Sequence, residues 1–86
     1  MVSKMTTMQN KSGFHMRPAS EFVNGLVGIK AKVYLKVEDK QIDAKSVMNL
    51  MAAAIKYGQA IEVIVDGEDE QVVLDKVVAT LENMRD

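Results

Sequence analysis

The 86-residue chain has no cysteine and no tryptophan, and it has only one proline and one histidine. Without cysteine there is no disulfide framework, no zinc–thiolate centre and no thiol nucleophile. No apolar run approaches the roughly 20 residues that a membrane-spanning helix needs. The opening Met1-Val2-Ser3-Lys4-Met5 lacks the apolar stretch of a secretory signal. These absences together place the expected location in the cytoplasm, with no membrane insertion. Nor is there an excess of one charge: 11 basic and 12 acidic residues leave a net −1, without the basic footprint of a nucleic-acid binder. What remains is 48% hydrophobic and 27% charged, the make-up of an ordinary soluble globule. Its length suits one domain, residues 1–86.

Hydrophobic spacing divides the chain into short alternating elements. Val2 to Gln9 is β-permissive, and Asn10-Lys11-Ser12-Gly13 is a polar loop. From Pro18 the period turns helical, with Ala19, Phe22, Val23, Leu26 and Val27 on one stripe and Gly28 as the stop. Ala31, Val33, Leu35 and Val37 then alternate with polar residues, a half-buried strand, and a turn at Glu38-Asp39-Lys40 leads to a partner at Gln41 to Asp43. Ser46 to Tyr57 reads as a helix with Val47, Leu50, Met51 and Ala54 on one side and Gly58 as its stop. Ile61, Val63 and Val65 give the last strand, ended by Asp66-Gly67. The final helix opens on Glu68, Asp69 and Glu70, buries Leu74, Val77, Val78 and Leu81, and places Arg85 near its negative end. The order βαββαβα, with strands polar on one face, predicts an α+β open-faced β-sandwich in which three helices cover one side of the sheet.

Three features bear on chemistry. In Gly13-Phe14-His15-Met16-Arg17-Pro18-Ala19 the only histidine stands just before a proline-marked helix start. A helix amino end presents unpaired N–H groups and partial positive charge, a setting that suits phosphate. Arg17 adds a fixed cation with a fork of donors matched to phosphate oxygens. Near neutral pH the imidazole has a lone pair for nucleophilic attack, and a phosphoryl group it accepted would land among those donors. The plainer reading is that His15 only caps the helix and Arg17 is solvated. Because a residue before proline is biased away from helix, Arg17 is itself a candidate cap.

Ser46 heads the second helix, where an N-cap role is the ordinary explanation and phosphorylation the functional alternative. The third feature is the run of methionines. Met51 falls on the core stripe, whereas Met16 and Met48 fit either core packing or an adaptable contact surface.

The motif from Gly13 to Ala19 resembles the active-site motif of the HPr family, the histidine-containing phosphocarriers of the phosphoenolpyruvate:sugar phosphotransferase system. Lys45-Ser46-Val47-Met48-Asn49-Leu50-Met51 is similar to the family's second motif, around a serine regulated in Gram-positive bacteria. Element order, Gly58 and Asp66-Gly67-Glu68-Asp69-Glu70 fit as well, so the resemblance spans essentially the whole chain. It implies a four-stranded antiparallel sheet of HPr type and a relay. Phosphorylated Enzyme I passes its phosphoryl group to Nδ1 of His15, which delivers it to the A domain of a sugar-specific enzyme II. Arg17 would stabilise the phosphate, with Ser12, Met16 and Pro18 forming its cradle. Ser46 would be the regulatory phosphorylation site, and Met16, Ser20, Val47, Met48 and Met51 would form the partner-docking surface. No cofactor or metal is implied. The further partners are a serine kinase/phosphorylase and a catabolite-control transcription regulator, and the carrier would be a monomer. The alternative the resemblance leaves open is a regulatory module acting mainly through Ser46. Position 16, usually small in the family, is Met16; position 14, commonly aliphatic, is Phe14; and position 49, often glycine in Gram-positive members, is Asn49.

Overall fold

Alternation of buried and more exposed side chains builds the two central strands of the sheet. In the computed structural model, which describes residues 1–84, strands β1 (Val2–Thr7), β2 (Lys32–Val37), β3 (Lys40–Asp43) and β4 (Ala60–Asp66) lie in the order β1-β4-β2-β3. Every pairing is antiparallel. The register stacks Val2, Val65 and Val33 across the sheet, and next to them Lys4, Val63, Leu35 and Ile42. Central β4 therefore buries Ile61, Val63 and Val65 completely. The opposite face carries exposed Lys32 and Lys36, with Tyr34, Glu62 and Ile64 only partly covered.

Helices α1 (Met16–Asn24), α2 (Val47–Ala52) and α3 (Glu70–Glu82) complete the predicted order. The α3 stripe of Val73, Leu74, Val77, Val78 and Leu81 is buried, and the helix packs on β1 and β4. Helix α1 packs against α2, and α2 against β3. One apolar cluster joins all of these, from Phe14 and Phe22 through Leu35 and Ile61 to Leu81.

Several sequence expectations are corrected, chiefly at helix ends. The first helix ends at Asn24 and is capped by Gly25 rather than stopped by Gly28. Beyond it the chain tightens into three-residue turns, Leu26 N–H to Val23 O, Val27 N–H to Asn24 O and Ile29 N–H to Leu26 O. Three residues per turn instead of 3.6 rotates the stripe, so Leu26 stays in the core while Val27 is 76% exposed. The second helix ends at Ala52, five residues short of Tyr57, because Ala54 turns left-handed (φ 52°) and drops Ile55 into the core. Leu50 is the buried anchor of that helix, and Met51, expected in the core, is 37% exposed. At α3 only Glu70 lies in the first turn; Asp69 is a left-handed N-cap and Glu68 precedes it. Arg85 lies outside the described residues.

Candidate functional site

His15 sits at the junction of a buttressed loop and a helix. The loop closes on itself: Gly13 N–H donates to Asn10 O (2.9 Å), and the Asn10 side-chain amide donates to Gly13 O (2.7 Å). Asn10 is fully buried, and its Oδ1 has no partner. Just upstream, Met8 exchanges backbone hydrogen bonds with Gln59 (3.0 Å) and Gly58 (2.8 Å), which extends the β1–β4 pairing beyond Thr7. Gly13 has φ 67° and lies so close to the Ile55 carbonyl that a Cβ would collide with it. Phe14 then turns inward and meets Phe22 of α1 at 5.4 Å between ring centres, tilted by 59°. Both sides of the histidine are thus anchored, and His15 itself is exposed.

His15, not Arg17, is the N-cap of α1, in extended geometry (φ −101°, ψ −176°). Its carbonyl accepts the Ala19 N–H (3.0 Å), yet its imidazole makes no capping hydrogen bond. Met16 and Arg17 become the first two helical positions, whose N–H groups have no acceptor within the helix. Pro18, which has no N–H to lose, occupies the third. The bias against helix before proline is overridden because its fixed φ suits a first turn and the Pro18 ring is buried with Ala19. The amino end of α1 therefore offers two backbone donors and the positive end of a helix dipole next to an exposed imidazole. Exposed Arg17 lines a groove of about 340 Å³ that runs between α1 and the end of α3, at Thr80 and Asn83. Ser12 is exposed in the loop and Ser20 is half-buried on α1.

Ser46 is the N-cap of α2, its hydroxyl accepting the Asn49 N–H (3.2 Å). Beside it, the Lys45 ammonium donates to Ile29 O (2.6 Å) and Ala31 O (2.7 Å), tying the start of α2 to the α1–β2 connection. Around these two helix starts the surface is rich in thioether: Met16 is 67% exposed and Met48 79%, and half-buried Val47 lies between Ser46 and Met48. In the sequence neither Asn10 nor Lys45 stands out as a structural group. The only signal for Asn10 was its place three residues before Gly13, the spacing of an asparagine-closed turn. No group of three or more histidine, aspartate or glutamate side chains among the described residues is arranged to hold a metal ion.

Fold and site together define a class: small open-faced α+β sandwiches that present a histidine at the amino end of the first helix. The comparisons with known proteins identify the family within that class. Residues 2–83 match the family model described as PTS HPr component phosphorylation site, and the chain belongs to the PTS HPr family. The HPr-like protein Crh of Halalkalibacterium halodurans is 34% identical over 82 residues, covering 95% of this chain and 98% of that one. The crystal structure of a phosphocarrier protein HPr from Bacillus anthracis superposes with a TM-score of 0.86 at 30% identity, over 93% of this chain and 95% of the other. A crystal structure of Crh, the catabolite repression protein of Bacillus subtilis, is a dimer with a swapped domain; it gives a TM-score of 0.76 at 35% identity, over 95% and 94% of the two chains. The relatives thus include both phosphocarriers and catabolite-repression proteins.

Proposed function

We propose that this chain is the phosphocarrier of a sugar phosphotransferase system, accepting a phosphoryl group from phospho-Enzyme I on His15 and passing it to the A domain of a sugar-specific enzyme II. The observation that carries the reading is an exposed histidine that serves as the N-cap residue of α1 while its imidazole leaves the helix amides uncapped. In the first step Nδ1 attacks phosphorus, an N–P bond forms and the bond to the Enzyme I donor breaks. The new phosphoryl oxygens fall toward the Met16 and Arg17 amides, with the Arg17 guanidinium as counter-charge and Ser12 as a further hydroxyl donor. Such a carrier works by positioning and electrostatics, without a metal of its own. Met16, Ser20, Val47, Met48 and Met51, on two packed helices, form the surface on which both partners dock. The chain acts in the cytoplasm as a monomer, so that one face can meet donor and acceptor in turn.

The Crh relative supports a second reading, a regulatory module that acts through phosphorylated Ser46 and a catabolite-control regulator. A purely regulatory chain has no need of His15, which favours the carrier. Onward transfer separates the two: after labelling by Enzyme I and removal of donor, the carrier passes its label to an enzyme II A domain. A chain that takes no label from Enzyme I, yet binds the regulator after modification at Ser46, is the regulatory module. Sedimentation of the labelled chain as a dimer would overturn the monomeric assignment.

A further inference from the structure

The chain has seven methionines and no cysteine, so its only oxidisable sulfur is thioether. Those thioethers are unequally placed. Met8 is completely buried, whereas Met16, the first residue of α1 and the immediate neighbour of His15, is 67% exposed. Met48 and Met51, one turn apart on α2, are 79% and 37% exposed, and α2 packs against α1. Met5, 59% exposed, pairs with Glu62 in the sheet, and Met1 is 78% exposed, so oxidation at both is shared by the parent chain and Met16→Leu.

We infer that Met16 is an oxidation site through which peroxide-class oxidants suppress phosphoryl transfer at His15, with Met48 as an accessory site. This rests on the carrier reading. The sulfur lone pair attacks the terminal oxygen of hydrogen peroxide, an S–O bond forms, the O–O bond breaks, and water leaves. The thioether is oxidised by two electrons and the peroxide reduced by two. The product is a polar sulfoxide in place of a flexible apolar side chain, and it is reversible by methionine sulfoxide reductases. Two consequences follow at this position. An oxygen with partial negative charge now stands on the residue next to the one that must receive a phosphoryl group. The contact surface around His15 also loses adaptable apolar area and must desolvate a strong acceptor when a partner docks.

The test uses the full chain, treated with hydrogen peroxide that is removed before Enzyme I is added. Peptide mass mapping should show oxygen added at Met16 and Met48 well before Met8. The initial rate of phosphoryl uptake should fall about tenfold, equivalent to 1.4 kcal/mol, and recover after reductase treatment. In Met16→Leu, each protein being compared with its own untreated rate, the same exposure should cost much less. Full oxidation of Met16 with no change in rate overturns the inference, and so does an equal loss in Met16→Leu. Failure of the untreated chain to accept phosphate overturns the carrier reading itself, and the inferred control of transfer falls with it.

Discussion

Gly13 is the position at which the architecture around His15 is most sensitive, and Gly13→Ala puts a number on it. Two separate costs meet there. The backbone is left-handed (φ 67°), which costs an L-residue about 1–2 kcal/mol. A Cβ at this site would also overlap the Ile55 carbonyl, and forcing the loop away from its neighbour adds an overpacking cost of about 1–3 kcal/mol. Gly28 supplies the control, because it is also left-handed (φ 85°) but its Cβ would meet nothing within 4 Å. Gly28→Ala should therefore carry the first cost alone. Urea unfolding of both variants, at unchanged slope, should place Gly13→Ala below Gly28→Ala by about 1–3 kcal/mol. That is a large share of the roughly 5–15 kcal/mol that holds a small domain folded. Equal losses in the two variants would show that the loop moves freely away from Ile55, and the claim that this contact fixes the approach to His15 would fail.

Other perturbations separate the remaining parts. Ala54→Gly removes a left-handed alanine at the end of α2 and should stabilise by about 0.5–1 kcal/mol once glycine's extra chain entropy is subtracted; an unchanged or lower melting temperature would refute the strain. Ser46→Ala loses the hydroxyl that accepts from Asn49 and should cost about 1 kcal/mol, whereas Ser46→Asp should keep the cap but slow uptake from Enzyme I, as measured by melting and by transfer rate. The Glu70 carboxylate accepts from Gly67 N–H (3.2 Å) and from the amino group of Met1 (3.1 Å), and these two bonds, the backbone one first, hold its pKa below the ordinary glutamate range. Its contribution is therefore complete above that range and is lost as the pH falls through the lowered value. In Glu70→Gln, urea midpoints should fall less steeply with acidification, and parallel curves would remove the assigned role.

How much of this was legible in the sequence depended on whether local pattern or tertiary packing decides each feature. The strands were readable because the sheet has one buried face, so the alternation of Ala31, Val33, Leu35 and Val37 with lysines, tyrosine and glutamate is a direct imprint of burial. Helix α3 was readable for the same reason at a longer period. The ends of α1 and α2 were not. Leu26 faces inward and Val27 outward only because the chain tightens after Asn24, and α2 stops at a left-handed alanine that no propensity favours. At the site, His15 stood out through its uniqueness and its place before Pro18. Its support did not: Asn10 looks like an ordinary loop polar residue and is fully buried, and Lys45 looks like a solvated cation and is bonded to two carbonyls of another segment. Lys45 acts through carbonyls 14 and 16 residues away, and the burial of Asn10 comes from packing of the loop against the rest of the fold, neither of which composition or spacing reveals.

The central claim concerns one imidazole nitrogen, and it is tested most directly by incubating the chain with Enzyme I and labelled phosphoenolpyruvate and locating the label. The expected product is one phosphoryl group per chain on Nδ1 of His15, labile in acid, stable in base, and absent from His15→Ala. Label that never appears, or that persists in His15→Ala, would contradict the account.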